Sequence, residues 1–439
     1  MPPLGALSLG ASLERHGFHA SINDTQFEPR ITPFDVDAFA DLLKSCSAET
    51  IALSLFNDAI PLVVAALEQI GGELKERRIF IGGPGTTGIA ERLVQRLSCV
   101  EAVVVGEGET LLPLLLARDH EATRMPGVFS RSIRGAVVGI GRARRETLDE
   151  LPFPDWTWCL GRGYSVVPLS TMRGCPFDCH FCDVAAFTGR RVTMRSIDRA
   201  LSDLAVAMRA LDTNEVSVLD DTFTVSKARV LAFCRELKRR ELGARFSIYS
   251  RVDLMDEEIM AELASAGCYR VFFGLDGGDE AVIAAAGKRL DLVRAKSVLA
   301  MCARYCDVTA SFIWGYPFET VDAFHRLLDL AEELWCTKAD FCVYPQLHLL
   351  SPASGTYLFT QYAAQMVLDT DVELLPLRNN LKDHGSSSGY GKVLETIRSD
   401  EKLAAPFFRY QSPRFAYKRS TVRAFQMALH ASVGKRILE

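Results

Sequence analysis

The chain has 439 residues, enough to bury a sizeable core in two or three domains. Its 50 Lys and Arg stand against 55 Asp and Glu, a net charge of −5 with no long block of one sign, which argues against nucleic acid as the main partner. No run approaches the roughly 20 apolar residues of a membrane helix, and the start lacks the basic and apolar regions of a signal peptide. Twelve cysteines scattered through apolar patterns suit a reducing compartment, so the expectation is a cytoplasmic protein with no membrane partner.

In chain order, residues 4–16 carry Leu4, Leu7, Leu9 and Leu13 at helical spacing before a Gly17 stop. Strands are expected at 19–23, 51–56, 78–83 and 102–106, alternating with helices at 35–45, 59–70 and 89–97. That alternation predicts a doubly wound parallel sheet over residues 1–123. Ligands of such sheets lie beyond the strands' carboxyl ends, here the loops at Ser54, Gly82-Gly83 and Gly106-Glu107-Gly108-Glu109. Residues 124–160 read as a hairpin and linker. Pro152 and Pro154 make a semi-rigid spacer, and Arg131, Arg134, Arg142, Arg144 and Arg145 a solvated basic face.

An apolar strand at 166–170 then leads into Arg173-Gly-Cys-Pro-Phe-Asp-Cys-His-Phe-Cys-Asp183. Cys175, Cys179 and Cys182 sit at C-x₃-C-x₂-C spacing on a Gly- and Pro-bearing loop, the kind of loop that wraps an inorganic cluster. A cubane has four irons and this loop offers three sulfurs, so one iron is left for an exogenous ligand. The alternative is structural zinc, which normally takes four protein ligands in two short pairs. Further strands are expected at 215–219, 245–250, 269–274, 308–313 and 340–344, with helices at 196–210, 227–241, 256–266, 290–305 and 321–334. Catalytic groups of such barrels gather at the strands' carboxyl ends.

The cysteine triplet, with Phe181 before its third member, resembles the signature of the radical S-adenosylmethionine (SAM) superfamily. The resemblance implies a partial (β/α)₆ barrel over 161–365, a [4Fe–4S] cluster on the three cysteines, and SAM chelating the open iron. It implies SAM contacts for Phe181, for Asp220 or Asp221 in Asp-Asp-Thr-Phe, for Ser250 and Arg251 in Ser-Arg-Val-Asp, for Asp276 in Gly-Leu-Asp-Gly-Gly, and for backbone at Gly315. Glu319 closes the last word as a helix cap, and Ser351 to Tyr357 resembles the Pro-Gly-Thr word after the sixth strand. Trp314, Tyr316 and His348 are candidates to face a small-molecule substrate, and the electron would come from a donor such as flavodoxin or ferredoxin.

Pro2-Pro-Leu-Gly5, Ile81-Gly-Gly-Pro84 and Val105-Gly-Glu-Gly-Glu109 resemble the cobalamin-binding domain in front of one branch of that superfamily. The resemblance implies cobalamin against Ser54, Gly83, Gly106 and Glu107. Two departures leave open the alternative of a relic domain that binds no corrinoid. The Asp-x-His-x-x-Gly word is absent, and the chain starts at Pro-Pro-Leu-Gly without the preceding strand.

Residues 366–439 read as a smaller α-rich region with a polar Gly/Ser segment at 384–391; the resemblance implies that this region contacts substrate. Cys302, Cys306, Cys336 and Cys342 are either a second thiol site or simple core residues. The expected function is radical chemistry on a small molecule in biosynthesis, by methylation or other C–H functionalisation. The rivals are 3-amino-3-carboxypropyl transfer to a soft acceptor such as trivalent arsenic, and a non-catalytic zinc- or corrinoid-binding module.

Overall fold

The computed structural model of the chain describes residues 1–27, 34–119, 121–143, 147–369, 371, 373–374, 379–380 and 390–438. Arg144, Arg145 and positions 384–389 of the Gly/Ser segment lie outside them. In the N-terminal domain, β1 (Thr50–Ser54), β2 (Arg78–Gly82) and β3 (Val100–Val104) run parallel in that order, followed by antiparallel β4 (Val128–Arg131) and β5 (Val137–Val138). Alternation along the strands covers both faces. Ile79, Ile81 and Val103 pack beneath α2 (Val36–Ser45), α3 (Ile60–Ile70) and α4 (Ala90–Arg96). Phe80, Ala102 and Val104 pack beneath α1 (Leu4–Arg15) and α5 (Gly108–Leu116).

Two expectations are corrected here. The hairpin read as part of a linker extends the front sheet beside β3. Residues 19–23 form no strand, because their anchors lie elsewhere: Trp158 Nε1 donates to Ile22 O at 3.1 Å and Tyr164 Oη to the neighbouring Asp24 at 2.6 Å. β1 is accordingly the edge of the sheet, with Ala52 and Ser54 exposed on one face.

The second domain is an all-parallel sheet in the order β13-β12-β11-β10-β9-β6. Its strands are β6 (Val167–Leu169), β9 (Glu215–Val218), β10 (Arg245–Ser250), β11 (Cys268–Gly274), β12 (Asp307–Trp314) and β13 (Val343–Leu349). A two-residue ribbon of β7 (Met172–Arg173) and β8 (Thr193–Met194) frames the cysteine loop. Six parallel strands with helices outside them match the expected partial barrel. Val308, Ala310, Phe312 and Trp314 of β12 all join the core under those helices.

β13 runs five residues beyond its expected end. Pro345 lies within it, and an edge strand tolerates the missing donor. α15 (Phe415–Leu438) covers that edge, with Phe415 stacked on Trp314 at 5.5 Å and Gln426 Nε2 donating to Leu347 O at 3.1 Å. The tail also reaches the front domain. α14 (Tyr390–Ser399) packs on α3, Lys392 pairs with Asp37 at 3.1 Å, and Arg92 pairs with Asp400. Among the described residues no helix is long and apolar enough to cross a membrane.

Candidate active site

The cysteine loop begins where β7 ends, and two acids hold it there. Asp220 is fully buried just past β9 and accepts from Thr171 N (2.7 Å), Thr171 Oγ1 (2.5 Å) and Met172 N (3.0 Å). Asp221 accepts from Gly174 N at 3.0 Å. Gly174 has φ +95°, and a Cβ there would stand 2.0 Å from Arg191 O, so only glycine makes this turn. The SAM contact expected of Asp220 is therefore corrected: both its oxygens hold the entry to the loop. Burial pushes its carboxyl up to about 6 against those three donors.

This shift has a measurable consequence. A carboxyl whose folded pKa is raised contributes stability that is complete below about pH 4 and lost as pH rises through about 6. Asp220→Asn removes that loss, so its unfolding free energy relative to wild type should rise by roughly 3 kcal/mol between pH 4 and pH 7. Chemical unfolding at several pH values checks this; a difference independent of pH would contradict it.

The thiols of Cys175, Cys179 and Cys182 are half-buried. Burial pushes Cys182 up to about 12 and also raises Cys179, against the lowering effect of Lys288 and Arg251. Coordination to iron would remove those protons outright. Cys175 Sγ lies 3.3 Å from Thr222 Oγ1, and Arg251 Nη1 points at Cys179 Sγ from 3.9 Å. Arg251 is fixed in place. Asp253 takes its Nε and Nη2 at 2.9 Å each, and its guanidinium carbon sits 3.9 Å from the centre of the Phe177 ring. Among the described residues no three His, Cys, Asp or Glu side chains converge on one ion position; a cubane distributes its thiolates over separate irons and needs no such convergence.

The other expected positions ring this loop. Ser250 Oγ lies 2.6 Å from Thr224 Oγ1 and 3.2 Å from Arg251 O, a support for Arg251. Asp276, at φ +62°, is buried and paired with buried Lys288 at 2.6 Å; Lys288 also donates to Gly274 O at 2.5 Å. Asp276 thus meets a ligand only as half of a neutral pair, and Lys288 is a residue that sequence reasoning missed. Gly315 (φ +88°) donates its N–H to Glu319 Oε2 at 3.0 Å. Phe181 lies edge-on to Tyr316, whose hydroxyl donates to Asp276 O at 3.0 Å.

Tyr316 is therefore a buried support, and Trp314 lies in the core under the helices; neither faces a substrate as expected. His348 is half-buried, and burial lowers its pKa, favouring the neutral imidazole. The extra thiols do not gather either. Cys302 and Cys306 are buried in the core, while Cys336 and Cys342 are exposed.

Of the positions expected to meet cobalamin, Glu107 is taken by Arg173 of the cysteine loop, 3.7 Å away. Gly83 and Gly106, at φ +90° and +93°, are demanded by their own turns: a Cβ would stand 2.6 Å from Leu55 N and 2.5 Å from Ala143 O. Ser54 is exposed at the sheet edge.

Residues 169–331 match the family described as the radical SAM superfamily. The chain carries a radical SAM domain there. The chain thus has a B12 binding domain match, over residues 1–116, in front of its radical SAM domain. Over 383 residues it is 26% identical to an uncharacterized methyltransferase of Pyrococcus horikoshii, covering 84% of this chain and 80% of that one. In fold it is similar to the radical SAM methyltransferase TsrM of Kitasatospora setae, solved with tryptophan and a SAM analogue (TM-score 0.71, 18% identity, 98% of this chain and 86% of that one). It is also similar to the cobalamin-dependent radical SAM enzyme OxsB, solved with aqua-cobalamin and SAM (TM-score 0.63, 16% identity), covering 92% of this chain but only 53% of OxsB. A radical SAM enzyme carries a [4Fe–4S] cluster and uses SAM.

Proposed function

We propose that this radical SAM enzyme functionalises a C–H bond of a small molecule, with methyl transfer as the reaction. The observation that carries this reading is the meeting of two ligand faces. The carboxyl ends of β1, β2 and β3 abut the cysteine loop and the start of α6 (Asp183–Thr188): Glu107 and Glu109 pair with Arg173, Asn57 hydrogen-bonds Asp183, and Gly88 packs on Gly355, which touches Ala186. A methyl carrier on the front domain would then sit beside the radical source.

Cys175, Cys179 and Cys182 would hold the cluster, and Ala52, Ser54 and Phe56 leave an uncovered shelf of mostly small side chains for a corrin ring. When bound, the cluster supplies an electron, SAM a carbon radical and a methyl group, and cobalamin a methyl carrier. The protein's part is orientation and exclusion of water. Arg251, held by Asp253, offers Nη1 to a carboxylate beside Cys179. Asp276 and Lys288 present a paired dipole, which spares the pocket an uncompensated charge. Electron delivery would fall to a protein such as flavodoxin or ferredoxin.

The test is the fate of SAM. Reconstituted enzyme, reductant and SAM are incubated without oxygen, with and without cobalamin, and the nucleosides are separated by mass. The expected result is 5′-deoxyadenosine together with cobalamin-dependent S-adenosylhomocysteine. Methylthioadenosine as the main product would overturn the proposal in favour of aminocarboxypropyl transfer.

A further inference from the structure

The Gly-Glu-Gly-Glu turn of the front domain meets the cysteine loop through Arg173. Arg173, two residues before Cys175, donates from Nη2 to Glu109 Oε1 at 2.7 Å, and its Nη1 lies 3.7 Å from Glu107 Oε1. Glu109 is itself anchored: Ser8 Oγ donates to its Oε1 at 2.9 Å and Ser12 Oγ to its carbonyl at 2.6 Å, both from α1. Only 4% of Glu109 is exposed. Burial alone would raise its carboxyl; Arg173 more than reverses this.

On the far side of Arg173 stands Gly174, pinned by Asp221 and unable to accept a side chain. The entry to the loop therefore has two mounts. One is the barrel, through Asp220 and Asp221, and the other is the front domain, through Glu107 and Glu109. A hydrogen-bonded ion pair whose acid is buried has a narrow geometry, and breaking it leaves that acid's charge uncompensated.

We infer that Arg173, Glu109 and Glu107 form a strut through which the front domain positions the cysteine loop, and hence the cluster's open iron relative to SAM. Glu109 and Arg173 are positioning residues: they act on SAM through the geometry of Cys175. The inference gives these acids, which resemble part of a cobalamin-binding word, a role that does not depend on a corrinoid. It rests on the reading of the three cysteines as cluster ligands.

The test uses full-length Glu109→Gln, which is isosteric, and Arg173→Lys, which keeps the charge but loses the fork. Each is reconstituted beside wild type and assayed for iron and sulfide, for the electron paramagnetic resonance spectrum of the reduced cluster with and without SAM, and for 5′-deoxyadenosine formation. Both variants should bind wild-type iron and sulfide. Their SAM-induced spectral change should be altered, and SAM cleavage should fall roughly ten- to a hundredfold, the range of changes that reorient metal ligands from outside. Glu107→Gln, at the longer contact, should show the same change in smaller degree. Variants with wild-type spectra and cleavage rates would overturn the inference, whereas wild-type protein without iron and sulfide would overturn the cluster assignment itself.

Discussion

Cys179→Ala should lose the cluster and SAM cleavage together. Cys179 is the middle member of the triplet and the one toward which Arg251 Nη1 points. Two thiolates, Cys175 and Cys182, would remain for a cubane that otherwise keeps three. The expected protein is folded, because the loop is framed independently by Asp220, Asp221 and the short β7–β8 ribbon. It is colourless, with iron and sulfide near background and 5′-deoxyadenosine at the level of a no-enzyme control. Retained turnover in this variant would refute the assignment. Arg251→Lys provides the graded counterpart. It should keep its iron but bind SAM more weakly, since an ammonium cannot bond Asp253 through two nitrogens and still aim a third at the site.

The second large effect is on stability. Lys418 of α15 has no exposed surface and donates to Glu319 Oε2 (2.8 Å), Glu319 O (2.9 Å) and Ser412 Oγ (3.0 Å). Glu319 in turn accepts from Gly315 N, so a buried ion pair ties the tail to the loop expected to contact SAM through its backbone. Lys418→Met leaves Glu319 buried without its cation and should cost about 3–5 kcal/mol. Burial already raises the Glu319 carboxyl, and Lys418 works against it. Without the lysine the folded pKa rises further, so the deficit should be smallest below about pH 4.5 and grow as pH rises through the new folded value. Adding Glu319→Gln should recover most of the loss, because replacing both partners of a buried pair is close to neutral. Urea unfolding of the two variants at pH 5 and pH 7.5 measures this; a deficit that shrinks with rising pH would contradict it.

The parts of this protein legible in its sequence are those written in local spacing. The cysteine triplet needs only eleven residues, and the strand–helix alternation of both domains follows from runs of apolar residues closed by Gly or Pro. What could not be read is how a side chain is used once the chain is folded. Asp220 and Asp221 look alike as two adjacent acids after a strand, yet burial decides that Asp220 braces Thr171 and Met172. Glu107 and Arg173 lie 66 positions apart, and only the docking of the two domains pairs them. Lys288 follows Asp276 by twelve residues across a short helix, a separation with no recognisable period. The segment at 19–23 has strand-like composition but is held by Trp158 and Tyr164 instead of a neighbouring strand. Cys302 and Cys306 sit at i, i+4 as a metal pair would, and the same spacing serves residues that only fill the core.

The most direct measurement is metal and sulfide analysis of anaerobically reconstituted wild-type protein, combined with electron paramagnetic resonance of its reduced form before and after SAM is added. The account predicts about four irons and four sulfides per chain, as one cubane requires, and a reduced-cluster signal that changes when SAM takes the open iron. One zinc per chain with no sulfide, or a cluster signal indifferent to SAM, would contradict it.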